Sequence, residues 1–225
     1  MPEWINSFDT NVFIGLNGVH SAFFDAFFTI VTSLHVWFPL YLLIIFLLLK
    51  KYGISGIWII IFFILAVTIS DQSSGLIKDI VQRLRPSQEP LLQGKVHTPT
   101  GIGGLYGFVS GHATNVFSIT VLISLIARNK WVTIMFLFWA LVVSYSRIYV
   151  GVHYPTDIIC GAILGGLIGW GIYTLLRLFD SRFQRNGIYK RGVWEKEEVI
   201  PICIALIFIF STILFSSKII IRFYS

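Results

Sequence analysis

Long apolar runs dominate this chain and leave few folds open to it. Six of them, roughly Leu34 to Leu49, Ile57 to Ile77, Ser110 to Ala127, Trp131 to Tyr145, Pro155 to Leu176 and Val199 to Phe215, approach or exceed the length of a bilayer-crossing helix, about 20 residues. In hydrocarbon every backbone N–H and C=O needs a partner within the protein, so such runs are expected to be helices. Charge supports this: only 12% of residues are charged and 56% are hydrophobic, whereas soluble domains carry about 25% charged residues. The expected fold is all-α: a polytopic membrane helical bundle of about six transmembrane helices, preceded by interfacial N-terminal helices.

Three regions follow along the chain. In residues 1–33, Trp4, Ile5, Phe8, Val12 and Phe13 recur at near-helical spacing among Glu3, Asn6, Asp9 and Asn11. That pattern predicts an amphipathic helix in the interface. Phe23, Phe24, Phe27 and Phe28, with Asp25 among them, predict a second. Residues 34–178 form the membrane core, and residues 179–225 a basic loop plus a final span. No basic segment precedes an apolar stretch at the N-terminus, so a cleavable signal peptide is not expected. Cys160 and Cys203 both lie within apolar runs and read as small buried hydrophobes.

The formal net charge is +6, but the basic residues flank apolar spans instead of clustering on a polar domain, so nucleic acid is not an expected partner. Their distribution orients the chain. One side carries Lys50, Lys51, Arg128, Lys130, Arg177, Arg182, Arg185, Lys190, Arg191 and Lys196; the other carries Lys78, Arg83, Arg85, Lys95, Arg147, Lys218 and Arg222. The positive-inside rule assigns the first set to the cytoplasm and the second to the exterior.

The polar residues that interrupt the spans carry the chemistry. Asp71, Gln72, Ser73 and Ser74 stand inside the second run and are expected to face the protein interior or a watery cavity. Lys78 and Arg85 are seven residues apart, which on a continuing helix puts both cations on one face. Residues 79–109, with Pro86, Pro90, Pro99 and five glycines, form a long polar loop, and loops of that length are often functional. Arg83, Lys95 and His97 read there as exposed loop residues. Ser110-Gly111-His112 opens the third span: serine is a good N-cap, glycine admits a ligand to the backbone, and a helix N-terminus attracts anions. Arg147 offers planar donors suited to phosphate. His153 can act as nucleophile or proton shuttle, and Asp157, four residues on and just after Pro155, can orient its ring. Tyr149 and Tyr154 read as interfacial or packing aromatics.

All three clusters fall on the same side of the membrane. Three cations, an amide-rich helix start and two histidines suit a compact, multiply charged anion, phosphate best. Phosphoryl transfer is mostly positioning and charge stabilisation. These donors would supply both without a metal; no carboxylate cluster for magnesium and no Cys/His zinc pattern stands out, so neither metal nor cofactor is expected. The residues alone leave open which histidine attacks, with Asp157 favouring His153.

At these positions the sequence resembles the type 2 phosphatidic-acid phosphatase family, which shares its site architecture with acid phosphatases and vanadium haloperoxidases. The family motif Lys-x6-Arg-Pro is matched by Lys78, Arg85 and Pro86. Ser-Arg-x5-His-x3-Asp is matched by Ser146, Arg147, His153 and Asp157. Pro-Ser-Gly-His is matched by Ser110, Gly111 and His112, with Val109 in place of proline. The resemblance spans about residues 57–178. It implies that His153 attacks phosphorus to form a phosphohistidine, that Asp157 supports it, and that His112 protonates the leaving oxygen and then activates water. Lys78, Arg85, Ser110, Gly111 and Arg147 would hold the phosphate oxygens.

The expected activity is therefore metal-independent removal of phosphate from a membrane lipid at the external face of a bacterial inner membrane. Undecaprenyl diphosphate, the phosphates of lipid A, phosphatidylglycerol phosphate and phosphatidic acid are the candidate substrates. The expected partners are that lipid and the bilayer itself. A lipid phosphotransferase using the same intermediate, and a non-catalytic phospholipid-binding or transport protein, are the alternatives.

Overall fold

The structure, a computed structural model, describes residues 3–183 and 193–224. Arg185, Lys190 and Arg191 of the basic loop lie outside the described residues, as do the side chains of Glu3, Trp4, Ile5, Arg182 and Arg222. Among the described residues eight α-helices follow one another: α1 (Glu3–Asn17), α2 (Ala22–Val31), α3 (Phe38–Tyr52), α4 (Ser55–Val81), α5 (Gly111–Ala127), α6 (Lys130–Tyr149), α7 (Pro155–Phe183) and α8 (Lys196–Tyr224). Among the described residues the only strand-like pairing is an isolated bridge, Leu84 to Tyr106. The all-α membrane bundle expected from the sequence is thus the fold observed.

Among the described residues five helical segments are long and apolar enough to cross a membrane: Leu34–Tyr52, Ser55–Val81, Lys130–Tyr149, Pro155–Ser181 and Lys196–Ile221. Their outward faces carry Phe46, Ile64, Phe138, Ile163, Leu167 and Phe208, all exposed, as a lipid-facing surface requires. α5 is shorter, 17 residues, or about 26 Å at 1.5 Å per residue. It can be short because it is shielded. Val116, Ile119, Leu122, Ile123 and Ile126 are buried where it packs against α4, α6 and α7.

The α5–α7 contact is made by glycine. On α7, Gly161, Gly165 and Gly169 recur every four residues and share a face. A Cβ on them would fall 2.7 Å from Ser110 O, 2.2 Å from Thr114 O and 2.5 Å from Ser118 O. The backbones therefore touch, as small residues at four-residue spacing allow in membrane helices. The consequence for the site is direct: the start of α5 is held against the start of α7, and Ser110 N donates to Asp157 O at 3.0 Å.

The two ends of the bundle differ in character. At one, Lys51 pairs with Glu198 at 3.0 Å, Trp194 Nε1 donates to Tyr52 OH at 3.0 Å, and Asn129 Nδ2 donates to Trp194 O at 2.9 Å. The other end collects residues 82–109, the 150–154 turn and the N-terminal helices. α1 and α2 are bent by 114° to one another. Asn17 at the end of α1 donates to the carbonyls of His97, Ile148 and Tyr149, tying α1 to the loop and to the end of α6. Both helices thus make their polar contacts at this end of the bundle. The two cysteines are half-buried and free, with Cys203 Sγ 3.3 Å from Met135 Sδ.

Candidate active site

α4 delivers Lys78 in its last turn and then stops, because Gln82 adopts a left-handed conformation at φ 51°. The continuing helix expected between Lys78 and Arg85 is therefore not what forms. The chain instead turns back on the 103–107 segment: Arg85 N donates to Leu105 O at 3.1 Å and Arg85 Nε to Tyr106 O at 3.0 Å. Gly103 lies so near that a Cβ on it would stand 2.5 Å from Arg85 Nη1. The fold-back still leaves Lys78 within electrostatic reach of Arg85 and Asp157. Burial lowers the Arg85 pKa from its ordinary value, and Asp157 opposes the shift.

Ser110 caps α5 as its residue type predicts, its Oγ accepting from Ala113 N at 3.4 Å. Val109, in the place of the motif proline, is buried and follows a cis peptide bond. Gly111 faces Lys78: a Cβ there would meet Ser74 Oγ at 3.1 Å and Lys78 Nζ at 3.5 Å. His112, one residue further, is exposed to the cavity it lines. It lies within electrostatic reach of Arg147, His153 and Arg85.

α6 runs to Tyr149, four residues beyond the expected end of its span, so Arg147 sits in its last turn. Arg147 Nη1 contacts Thr32 Oγ1 at the end of α2. Its Nε is buried without a protein partner, a donor left for a ligand. Gly151 (φ +78°) then turns the chain where a Cβ would collide with His97 O at 2.6 Å. This tight turn places His153 just before α7.

His153 is 2% exposed. Its Nδ1 lies 3.4 Å from Asp157 Oδ2, an oxygen that also accepts from Tyr154 N at 3.0 Å. Its Nε2 makes no hydrogen bond among the described residues. Burial pushes the imidazole down to about 4; Asp157 opposes this, and Arg147 and Arg85 push the same way as burial. The ring is therefore neutral near pH 7. A neutral imidazole with one nitrogen turned to a carboxylate and the other open is the state a nucleophile needs.

Arg83 is the residue that sequence reasoning undervalued. It is not an exposed loop residue. Its Nη1 donates to Asp157 Oδ1 and Thr156 Oγ1, both at 2.8 Å, and its Nη2 to Asp9 Oδ2 at 2.7 Å. Its guanidinium carbon lies 4.1 Å from the centre of the buried Tyr154 ring. Asp9 also accepts from Thr156 N at 3.0 Å, which caps the first turn of α7. Asp9 and Asp157 are both fully buried. The Arg-x-Arg-Pro string was visible, but only the fold reveals a carboxylate from residue 9 opposite it. His97 is likewise no free loop residue: Nε2 lies 2.6 Å from Asp25 Oδ1, and its ring stacks on His20 at 3.8 Å. Tyr149 and Tyr154 are buried packing residues, Tyr149 OH donating to Asp25 at 2.7 Å.

Below these groups a cavity of about 370 Å³ runs into the bundle. Thr32, Lys78, Gly111 and His112 line it together with Trp37, Val116, Ile119, Trp139 and Val143. Among the described residues no three His, Cys, Asp or Glu side chains converge as a metal site. Lys78, the start of α5 and His112 in the wall of a partly apolar cavity, with Arg147, Arg85 and His153 within electrostatic reach of His112, suit the phosphate of a lipid.

The site and fold together define a helical membrane phosphatase that works on lipids. The chain belongs to the PAP2 superfamily, whose family model matches residues 55–181. It is 32% identical to the lipid A 4'-phosphatase of Bacteroides thetaiotaomicron over 221 residues, covering 96% of this chain and 98% of that protein. It is 38% identical to the lipid A 4'-phosphatase of Porphyromonas gingivalis over 186 residues, covering 80% and 78%. Among solved structures, Aquifex aeolicus LpxE superimposes with TM-score 0.59 at 26% identity over 73% of this chain and 94% of that one. The fold is also that of the Bacillus subtilis phosphatidylglycerolphosphate phosphatase, TM-score 0.62 at 22% identity over 82% and 90%.

Proposed function

We propose that this membrane lipid phosphatase removes phosphate from lipid A or a closely similar phosphorylated glycolipid, through a phosphohistidine on His153. The observation that carries the reading is the buried His153–Asp157 pair, its ring neutral and its Nε2 open, within electrostatic reach of Arg147 and Arg85. The names of the two relatives matched over most of the chain favour lipid A among the candidate lipids.

In the first step His153 Nε2 attacks phosphorus and the bond from phosphorus to the lipid oxygen breaks. His112 gives that oxygen a proton, and the Asp157 carboxylate balances the positive charge gained by the His153 ring. Lys78, Arg85, Arg147, the Ser110 hydroxyl and the Gly111 amide hold the non-bridging oxygens, where charge accumulates; the Ser110 amide is committed to Asp157 O. Water, deprotonated by His112, then attacks the phosphohistidine, releasing inorganic phosphate and restoring both histidines. Nothing in this sequence of steps calls on a metal.

The distribution of lysine and arginine favours an external active site: Lys50, Lys51, Arg128, Lys130 and Arg177 belong to the opposite end, which the positive-inside rule assigns to the cytoplasm. On this reading residues 1–33 are an interfacial unit, 34–178 the phosphatase core and 179–225 a cytoplasmic loop plus final span, in a bacterial inner membrane. The test is phosphate release by detergent-purified protein with chelator present. The panel is lipid A, undecaprenyl diphosphate, phosphatidylglycerol phosphate and phosphatidic acid, with His153→Ala as control. Release that survives chelation, is fastest with lipid A and disappears in the variant is expected. Near-normal turnover by folded His153→Ala would refute the nucleophile.

A further inference from the structure

The steps above give no part to Asp71, the one carboxylate among the residues that line the cavity. Asp71 stands on α4 seven residues before Lys78, which places it about 10 Å further into the bundle along the helix axis. It lines the same cavity as Lys78, Gly111 and His112, and it is exposed to it. One carboxylate oxygen accepts from Asn115 Nδ2 at 2.7 Å; no described group donates to the other. Asn115 lies one turn below His112 on α5, also in the cavity wall, and its Oδ1 is buried with no partner.

A carboxylate at this depth is costly unless it faces a cavity and serves there. A simple tie between α4 and α5 does not need one: the two helices already meet at Ser74 and Gly111, where a Cβ added to the glycine would stand 3.1 Å from Ser74 Oγ. Asp71 also attracts Lys78 through its charge, but that attraction does not call for the Asn115 amide on α5. The pair presents hydrogen-bond acceptors in a wall shared with Tyr41 and Ser74 and with the largely apolar Trp37, Val116, Ile119, Trp139 and Val143. With the phosphate at Lys78 and His112, the first atoms of the lipid chains would hang at this level.

We propose that Asp71, held by Asn115, forms a subsite for hydrogen-bond donors on the lipid chains, namely amide N–H and chain hydroxyl groups. It would select a phosphorylated, N-(hydroxyacyl)ated glycolipid over a diacylglycerol phosphate or a polyprenyl diphosphate. The ester-linked or isoprenoid chains of those lipids carry no donor at that depth. They would strip water from the carboxylate without replacing it, a cost that makes hydrogen-bonding sites discriminate strongly against analogues lacking the bonding group. This inference rests on the lipid phosphatase reading and names what that site chooses.

The experiment measures kcat/KM for lipid A and phosphatidic acid in detergent micelles with wild type, Asp71→Leu and Asp71→Asn. The quantity read is the ratio of the two values, in which any general effect on Lys78 or on helix packing cancels. The expected result is a wild-type ratio favouring lipid A that drops about ten-fold or more in Asp71→Leu, the size of one hydrogen bond to a charged group. Asp71→Asn, which keeps an acceptor oxygen, falls less. A second arm needs no variant: a lipid A analogue with unhydroxylated chains should lose part of the wild-type preference. A ratio unchanged in both variants and with the analogue, or equal losses on both lipids, would overturn the subsite while leaving the phosphatase reading intact. No phosphate release from any lipid by wild type would refute the phosphatase reading, and the subsite with it.

Discussion

Replacing Arg83 with methionine tests how the site is held together. Arg83 keeps much of its length in that variant but loses the fork that joins Asp157 Oδ1 and Thr156 Oγ1 at 2.8 Å to Asp9 Oδ2 at 2.7 Å. Its side chain is 13% exposed, and the two carboxylates are 1% and 0% exposed. Removing one partner of such a group leaves buried charge uncompensated, at a typical cost of about 3–5 kcal/mol. That is a large share of a stability of about 5–15 kcal/mol. The loss of the contact over the Tyr154 ring adds to it. Activity should fall further than stability alone explains. Asp157 loses its anchor on one oxygen, and a displacement of about 1 Å at a reacting group costs about 10²-fold. The assay is thermal unfolding in detergent beside kcat on lipid A below the melting temperature. Arg83→Lys discriminates: it restores charge but cannot span Asp9, Thr156 and Asp157 together. It should recover part of the stability and little of the turnover. An Arg83→Met protein with turnover within three-fold of wild type, a bound of about 0.7 kcal/mol on the barrier, would refute the positioning role.

Three further outcomes follow from particular distances. Gly103→Ala puts a Cβ 2.5 Å from Arg85 Nη1; the guanidinium end must move, so KM for lipid phosphate should rise about ten-fold, one lost charge-assisted hydrogen bond, while the melting temperature stays near wild type. Gly165→Ala drives a Cβ to 2.2 Å from Thr114 O, backbone against backbone, and should destabilise by about 1–3 kcal/mol as overpacking does; Gly171→Ala, with nothing within 4 Å, should not lower the melting temperature. Finally, burial holds His153 at about 4, below the ordinary value of about 6.5. Its contribution to stability is complete above about pH 6.5 and is lost as pH falls towards 4, because the unfolded chain takes up the proton first. The melting temperature should therefore drop between those values less in His153→Gln than in wild type, and the acid limb of kcat/KM should lie well below pH 6.

The two kinds of information in this protein separate by range. Apolar runs of bilayer length, the positive bias of alternate loops, a serine at a helix start and histidine–aspartate spacing are local or compositional, so they can be read without the fold. They determined a helical membrane bundle and proposed Lys78, Arg85, Ser110–His112, Arg147, His153 and Asp157 as one phosphate site. Helix boundaries were less legible. α4 ends at Gln82 because of one left-handed residue, and Arg85 reaches the site by pairing with Leu105 and Tyr106, contacts about twenty residues away that no helical periodicity encodes. The long-range partners were not legible at all. Nothing in the spacing of Asp9 or Thr32 points to Arg83 or Arg147, residues 74 and 115 positions distant. Nor does it pair Asp71 with Asn115. These choices belong to the tertiary structure. Packing of α7 glycines on α5 and the bend between α1 and α2 bring together groups from distant segments, and a buried charge accepts whichever partner the packing puts within about 3 Å.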